Sequence, residues 1–261
     1  MKRAEYSDGP VRRPWIFGVP LLWLFAGSSA QAAAALIAVA ANFAEPLEAL
    51  VAAFEDRYPH QLDIAMGSTG KLYAQITQAA PFDVLLAADD QRPALLEAAG
   101  TGIPNSRFTY ALGRLCLWSS DPARITSGGP TALSATFRRL AMANPDLAPY
   151  GVAALETLDH LGLRARLEGR IVMGENVAQA FAMVTTGNAE LGFVACSLTQ
   201  SSRNRSVGSH WQVPASMHTP IRQQAVLLQH GAVNPAATAF LEFLRSAAAQ
   251  AIIVSYGYDI E

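Results

Sequence analysis

The sequence predicts an α/β protein of two doubly wound lobes, and three observations carry that expectation. Apolar strand-like runs alternate with stretches of helical 3–4 spacing, the order that builds sheets with helices on their faces. Two of the runs, 84–88 (VLLAA) and 191–196 (LGFVAC), are continuously apolar, as in strands covered on both sides. The segment 108–118 is apolar except around Gly113 and Arg114. It is longer than a usual strand of about 5–6 residues, which suits a chain crossing between lobes.

The elements follow in order. Residues 36–40 read as a buried strand, followed by a helix with Leu47, Leu50, Val51, Phe54 and Tyr58 on one face. Asn42 and Glu45 stand three apart, as in a capping box. Pro46 is tolerated in the first turn and Pro59 ends the element. Leu62, Ile64 and Met66 alternate as a strand, and Leu72, Tyr73 and Ile76 give the next helix face. Asp89 and Asp90 close the 84–88 strand and read as helix caps before Pro93; no third ligand stands near them for a metal. Beyond the 108–118 crossing, 121–130 reads as loop, 140–143 and 171–173 as strands, and 197–220 as polar and irregular. Helices are expected after Pro149-Tyr150-Gly151 and after Asn176. Residues 223–228 read as a strand returning to the first lobe, before a last helical region opened by Pro235. The division expected is a first lobe of 33–112 plus 223–261 and a second of 113–222.

The 261 residues suffice for two lobes with cores of their own. A hydrophobic content of 51% excludes a disordered chain, and a net charge of -2 gives no footprint for nucleic acid. Arg12 and Arg13 precede an apolar run over 15–25, and Ala30-Gln31-Ala32 fits a small-residue cleavage site. That run is shorter than the roughly 20 apolar residues of a spanning helix. Residues 1–32 are therefore expected to be a cleaved signal peptide, and the mature protein to be periplasmic. An oxidising compartment permits a disulfide between Cys116 and Cys196. The apolar runs that hold them favour two buried free thiols instead.

The stretch Met66-Gly67-Ser68-Thr69-Gly70-Lys71-Leu72-Tyr73 places two hydroxyls between glycines, where a strand turns into a helix. Such a turn presents backbone N–H groups and the positive end of a helix dipole, a ready anion site. It is not a P-loop, which needs glycine in place of Ala65 and Ser or Thr in place of Leu72. Nor is it a nucleophile elbow, since Met66 stands where the first glycine belongs. Its plain alternative is an ordinary capped turn. Similar junctions recur at Ala41-Asn42, Pro149-Tyr150 and Asn176-Val177, and ligands of open α/β sheets bind at the carboxyl ends of strands. None carries an obligatory cation, so neutral donors for a small anion are expected. His60, His160, His210, His218 and His230 sit in no catalytic motif and adjoin none of these junctions, which argues against an exported enzyme.

The chain resembles the periplasmic molybdate-binding proteins that serve ABC importers. The resemblance runs through AVAANF (38–43), GSTGKLYAQI (67–76), APFDVLLAAD (80–89), SRFTYALGRLCLW (106–118), NPDLAPYG (144–151), ENVAQA (175–180) and ELGFVA (190–195), in this order. It implies a two-lobed periplasmic-binding-protein fold of type II with two crossovers. It also implies that molybdate or tungstate is held by Asn42, Ser68 and Thr69 from one lobe, and by Tyr150 and the N–H of Val177 from the other. Family members often have Ser or Thr where Ala41 stands, so Ala41 offers only its backbone N–H. The resemblance implies no cofactor beyond the ligand, a monomer, and a membrane permease with its ATPase as partner. Another oxyanion, such as sulfate or phosphate, is the alternative ligand, and ferric ion held by the Tyr150 phenolate a weaker one.

Overall fold

The computed structural model describes Met1, Ala4, residues 32–201 and residues 207–261. The expected signal peptide therefore lies almost wholly outside the described residues. The first sheet opens with β1 (Ala34–Ala40), a run of small and branched residues that becomes buried toward its carboxyl end. A short 3-10 turn (Ala41–Phe43) leads into α1 (Ala44–Glu55). Then come β2 (Gln61–Gly67), α2 (Thr69–Thr77), β3 (Val84–Leu86), α3 (Gln91–Ala98) and β4 (Phe108–Gly113). β1 runs parallel to both β2 and β3, so their carboxyl ends share one edge of the sheet.

The long segment 108–118 is two strands, not one. β4 ends at Gly113, and β5 (Leu115–Ser119) enters the second sheet, with Arg114 between them. Arg114 is tied there by its guanidinium to the Asp259 carboxylate, with Nε 2.7 Å from Oδ2. The second sheet adds α4 (Gly129–Ser134), β6 (Leu140–Ala143), α5 (Pro149–His160), α6 (Arg164–Leu167), β7 (Ile171–Gly174) and α7 (Val177–Thr185). It is completed by β8 (Leu191–Ala195), α8 (Cys196–Gln200) and β9 (Ser209–Gln212). The chain then returns as β10 (Ile221–Leu227), antiparallel between β3 and β4, and finishes with α9 (Pro235–Leu244) and α10 (Ala247–Ser255). The strand orders are β2-β1-β3-β10-β4 and β7-β6-β8-β5-β9.

The first sheet is covered on both faces. Phe43, Phe54, Phe240 and Ile253 fill one side, and Leu72, Leu85 and Leu96 the other. The second lobe has its own core around Trp118, Met142, Leu158 and Phe193. The continuous apolar runs read from the sequence, 84–88 and 191–196, lie within these cores and are buried throughout.

Four local expectations are corrected. Cys116 and Cys196 are not free thiols but a disulfide, with Cα atoms 5.1 Å apart. In the antiparallel β5/β8 pair Cys116 stands opposite Val194, which makes Cys196 its diagonal neighbour. Nothing in the local sequence reveals that pairing. The Asn42–Glu45 capping box does not form: the α1 N-cap is Phe43, without a side-chain bond, and Asn42 turns inward. β2 is an edge strand, so of its alternating residues Leu62 is buried while Ile64 and Met66 face solvent. The irregular 197–220 region contains α8 and β9, whose polar SHWQ sequence is tolerated because β9 is itself an edge.

Candidate anion-binding site

Four chain turns meet between the lobes. Two follow the parallel strands β1 and β2, and two follow the parallel pair β6 and β7. They bring Ala41, Asn42, Ser68, Thr69, Tyr150 and Val177, all six residues expected from the sequence, to the wall of one cavity. It is small, about 10 Å³, room for about one water-sized sphere, and none of its described lining side chains is charged. All six residues are buried.

Helix starts supply the backbone donors. The first N–H groups of any helix lack intrahelical partners, and the dipole adds partial positive charge. Thr69 and Val177 are the first residues of α2 and α7, and Tyr150 is the second of α5, behind Pro149, which has no N–H. Ser68 and Asn176 cap their helices, accepting from Lys71 N at 3.4 Å and from Gln179 N at 3.0 Å. The cap expected at Asp89 is also present, since its Oδ1 accepts from Arg92 N at 3.0 Å. Burial raises the Asp89 pKa, against the lowering by the Arg92 backbone and guanidinium.

Three hydroxyls supply the rest. Each oxygen accepts a bond from the protein: Ser68 Oγ from Lys71 N, Thr69 Oγ1 from Ala88 N at 3.1 Å, and Tyr150 Oη from Gln223 Nε2 at 3.5 Å. A hydroxyl has one proton, and acceptance leaves that proton to donate elsewhere. Burial, reinforced by the phenols of Tyr258 and Tyr110, pushes the Tyr150 pKa well above its ordinary 10, so Tyr150 stays a neutral donor.

Asn42 is differently employed. Its Nδ2 donates to Gln223 Oε1 at 2.8 Å and to Tyr258 Oη at 3.1 Å, and its carbonyl accepts from Tyr258 Oη at 2.7 Å. Ser197 Oγ lies 3.0 Å from the same phenol. Burial pushes the Tyr258 pKa up to about 12, against the lowering by its bonds to Ser197 and Asn42. Gln223, Tyr258, Ser197 and Tyr110 were not anticipated from sequence. The available signals were a pair of glutamines in the apolar IRQQAVLL strand and a tyrosine just past the Gly257 break.

The lobes touch beside the cavity. Gly70 N donates to Leu147 O at 2.8 Å, Lys71 pairs with Glu175 at 2.8 Å, and Arg92 Nη2 donates to Asp146 O at 3.2 Å. A Cβ on Gly70 would stand 2.9 Å from the Leu147 oxygen, so only glycine permits this approach. The described histidines stay away from the cavity lining; His230, for example, pairs with Asp83 at 2.8 Å. No cluster of three or more metal-ligating side chains occurs among the described residues.

Two α/β lobes joined by crossing strands, with a buried donor-lined cavity between them, define a solute-binding protein of the type II periplasmic-binding fold. Residues 35–259 match the family model described as bacterial extracellular solute-binding protein, and the chain belongs to that family. The molybdate-binding protein ModA of Azotobacter vinelandii is 44% identical over 233 residues, covering 89% of this chain and 92% of that one. The ModA of Rhodobacter capsulatus is 44% identical over 246 residues, covering 94% and 96%. The solved periplasmic molybdate-binding protein of A. vinelandii superimposes with a TM-score of 0.83 at 38% identity, over 87% of this chain and 99% of that one.

Proposed function

We propose that this protein captures molybdate in the cleft and delivers it to an ABC importer. The observation that carries this reading is the cavity itself, where helix starts and three hydroxyls from both lobes converge with no charged side chain among the described lining residues. The similarity to ModA proteins points the same way. In this reading Ser68, Thr69 and Tyr150 donate through hydroxyls, and Ala41, Asn42 and Val177 through backbone N–H groups. Asn42 contributes its backbone because both its amide hydrogens are engaged within the protein. A hydrogen bond to a charged group contributes about 1.5–3 kcal/mol, so several offset the desolvation of a dianion. Among the described residues no carboxylate lines the cavity to accept a proton, which disfavours hydrogen phosphate.

The work is capture, not chemistry. An anion bridging both lobes favours the closed form by its extra contacts there, and only by that difference. The closed form then docks on a membrane permease with its ATPase. Tungstate, a tetrahedron close to molybdate in size, fits the same donors. Export to the periplasm through residues 1–32 and action as a monomer complete the proposal. Isothermal titration of ligand-stripped protein tests it. Tight 1:1 binding of molybdate and tungstate, with little heat from sulfate and phosphate, is expected. Preferential binding of sulfate or phosphate would overturn the ligand assignment.

A further inference from the structure

We propose that Gln223 is a positioning residue that holds the Tyr150 hydroxyl as a donor to the bound oxyanion. The inference rests on the oxyanion reading above and adds a specific residue to it. Gln223 lies on β10 and is completely buried. A buried amide is costly unless hydrogen-bonded, so a glutamine in an apolar strand calls for a reason.

Its placement is specific in two respects. The β10/β4 ladder slips at Gln223/Gln224: Gln223 pairs with Ala111 and Gln224 with Thr109, leaving Tyr110 opposite neither. Such bulges re-aim side chains beside functional sites. Here the skipped Tyr110 turns its hydroxyl to within 3.1 Å of Gln223 Oε1. The crossover residue Gly113 supplies the room, since a Cβ there would lie 2.3 Å from Tyr150 Oη and 2.9 Å from Gln223 Nε2.

The direction of the bonds follows. Asn42 Nδ2 and Tyr110 Oη both approach Gln223 Oε1, at 2.8 and 3.1 Å. Tyr110 has one proton to share between this atom and the Ala87 carbonyl, also 3.1 Å away, but Asn42 Nδ2 can only donate, and that identifies the end it meets as oxygen. Nε2 therefore faces Tyr150 Oη, 3.5 Å away, and it can only donate. The Tyr150 oxygen is thereby an acceptor toward Gln223, which leaves its one proton to donate elsewhere: to the neighbouring Tyr258 phenol when the cavity is empty, and to the oxyanion when one is bound. Tyr258 holds Asn42 in turn through two bonds, so the set is fixed from behind. Gln223 and Tyr150 come from different lobes, so this orientation is established as the lobes meet.

Molybdate titration of the full mature protein tests the inference with three variants. Gln223→Met keeps the bulk and removes the donor. It should weaken binding by about tenfold or more, the scale of one hydrogen bond to an ion. In a Tyr150→Phe background the same change should cost less than about twofold, because no hydroxyl is left to orient. Gln223→Glu adds a readout that a packing role would not move. While protonated, the introduced carboxyl accepts and donates like the amide; once ionised, it draws the Tyr150 proton away from the anion. Burial moves a carboxyl up toward neutrality, and the groups facing it are the phenols of Tyr110, Tyr150 and Tyr258, all shifted upward. Binding by Gln223→Glu should therefore weaken several-fold from about pH 6 to about pH 9, where the wild type stays flat. Equal losses from Gln223→Met in both backgrounds, no loss at all, or a pH-flat Gln223→Glu variant would each overturn the inference. A wild-type protein that ignores molybdate would overturn the oxyanion reading itself, and the inference with it.

Discussion

Replacing Gly113 by alanine should damage binding and stability together, through one contact. The added methyl would stand 2.3 Å from Tyr150 Oη, 3.0 Å from Tyr150 Cζ and 2.9 Å from Gln223 Nε2. Comfortable separations between carbon atoms are about 3.5–4.0 Å, so the phenol must retreat by about 1 Å or more. Overpacking of this kind costs about 1–3 kcal/mol. For a domain of this size each kcal/mol lowers Tm by about 2–4 °C. In the proposed binding mode the retreat also takes the Tyr150 proton away from the anion. Loss of one charge-assisted bond, about 1.5–3 kcal/mol, weakens binding by about 10- to 150-fold. Titration with molybdate and a ligand-free thermal melt read the two effects separately. Gly169→Ala is the matched control, since nothing lies within 4 Å of its added methyl. Wild-type affinity and an unchanged melt in Gly113→Ala would refute the seating of Tyr150 over the crossover.

Two further predictions concern stability. Reducing the Cys116–Cys196 bond, which spans 80 residues of sequence, should cost about 4–5 kcal/mol by the chain-entropy relation; urea unfolding with and without reductant measures it, and coincident curves would refute a disulfide. Burial alone would raise the Glu190 carboxyl, but its bonds to the Arg138 side chain and the Arg139 N–H prevail and hold it down to about 2, from an ordinary 4.5. A depressed carboxyl stabilises the fold above its unfolded pKa, and that contribution fades as pH falls from about 4.5 toward 2. Glu190→Gln should therefore flatten the acid limb of the unfolding midpoint, and an acid limb identical to wild type would refute the assignment.

Much of the candidate site was legible because its signals are local. Strand ends and helix starts are written in short-range periodicity and in Ser, Asn, Gly and Pro at element boundaries, so the positions of Ser68, Thr69, Tyr150 and Val177 could be read residue by residue. The continuous apolar runs of β3 and β8 announced sheets covered on both faces. Asn42 shows where this reading stops. Its spacing to Glu45 is that of a cap, yet partners 181 and 216 residues away claim its amide.

The sequence by itself thus determined the α/β class, the alternation of strands and helices around the four junctions and the neutral chemistry of the candidate donors, since these depend on residues a few positions apart. Tertiary structure decided which strands lie side by side, and so the Cys116–Cys196 bond, the slip that frees Tyr110, and the meeting of Gln223 with Tyr150 over Gly113. The physical reason is range. Helical and strand periodicities are enforced by neighbouring dihedrals, whereas a buried polar group is satisfied by whatever the fold brings within about 3 Å of it.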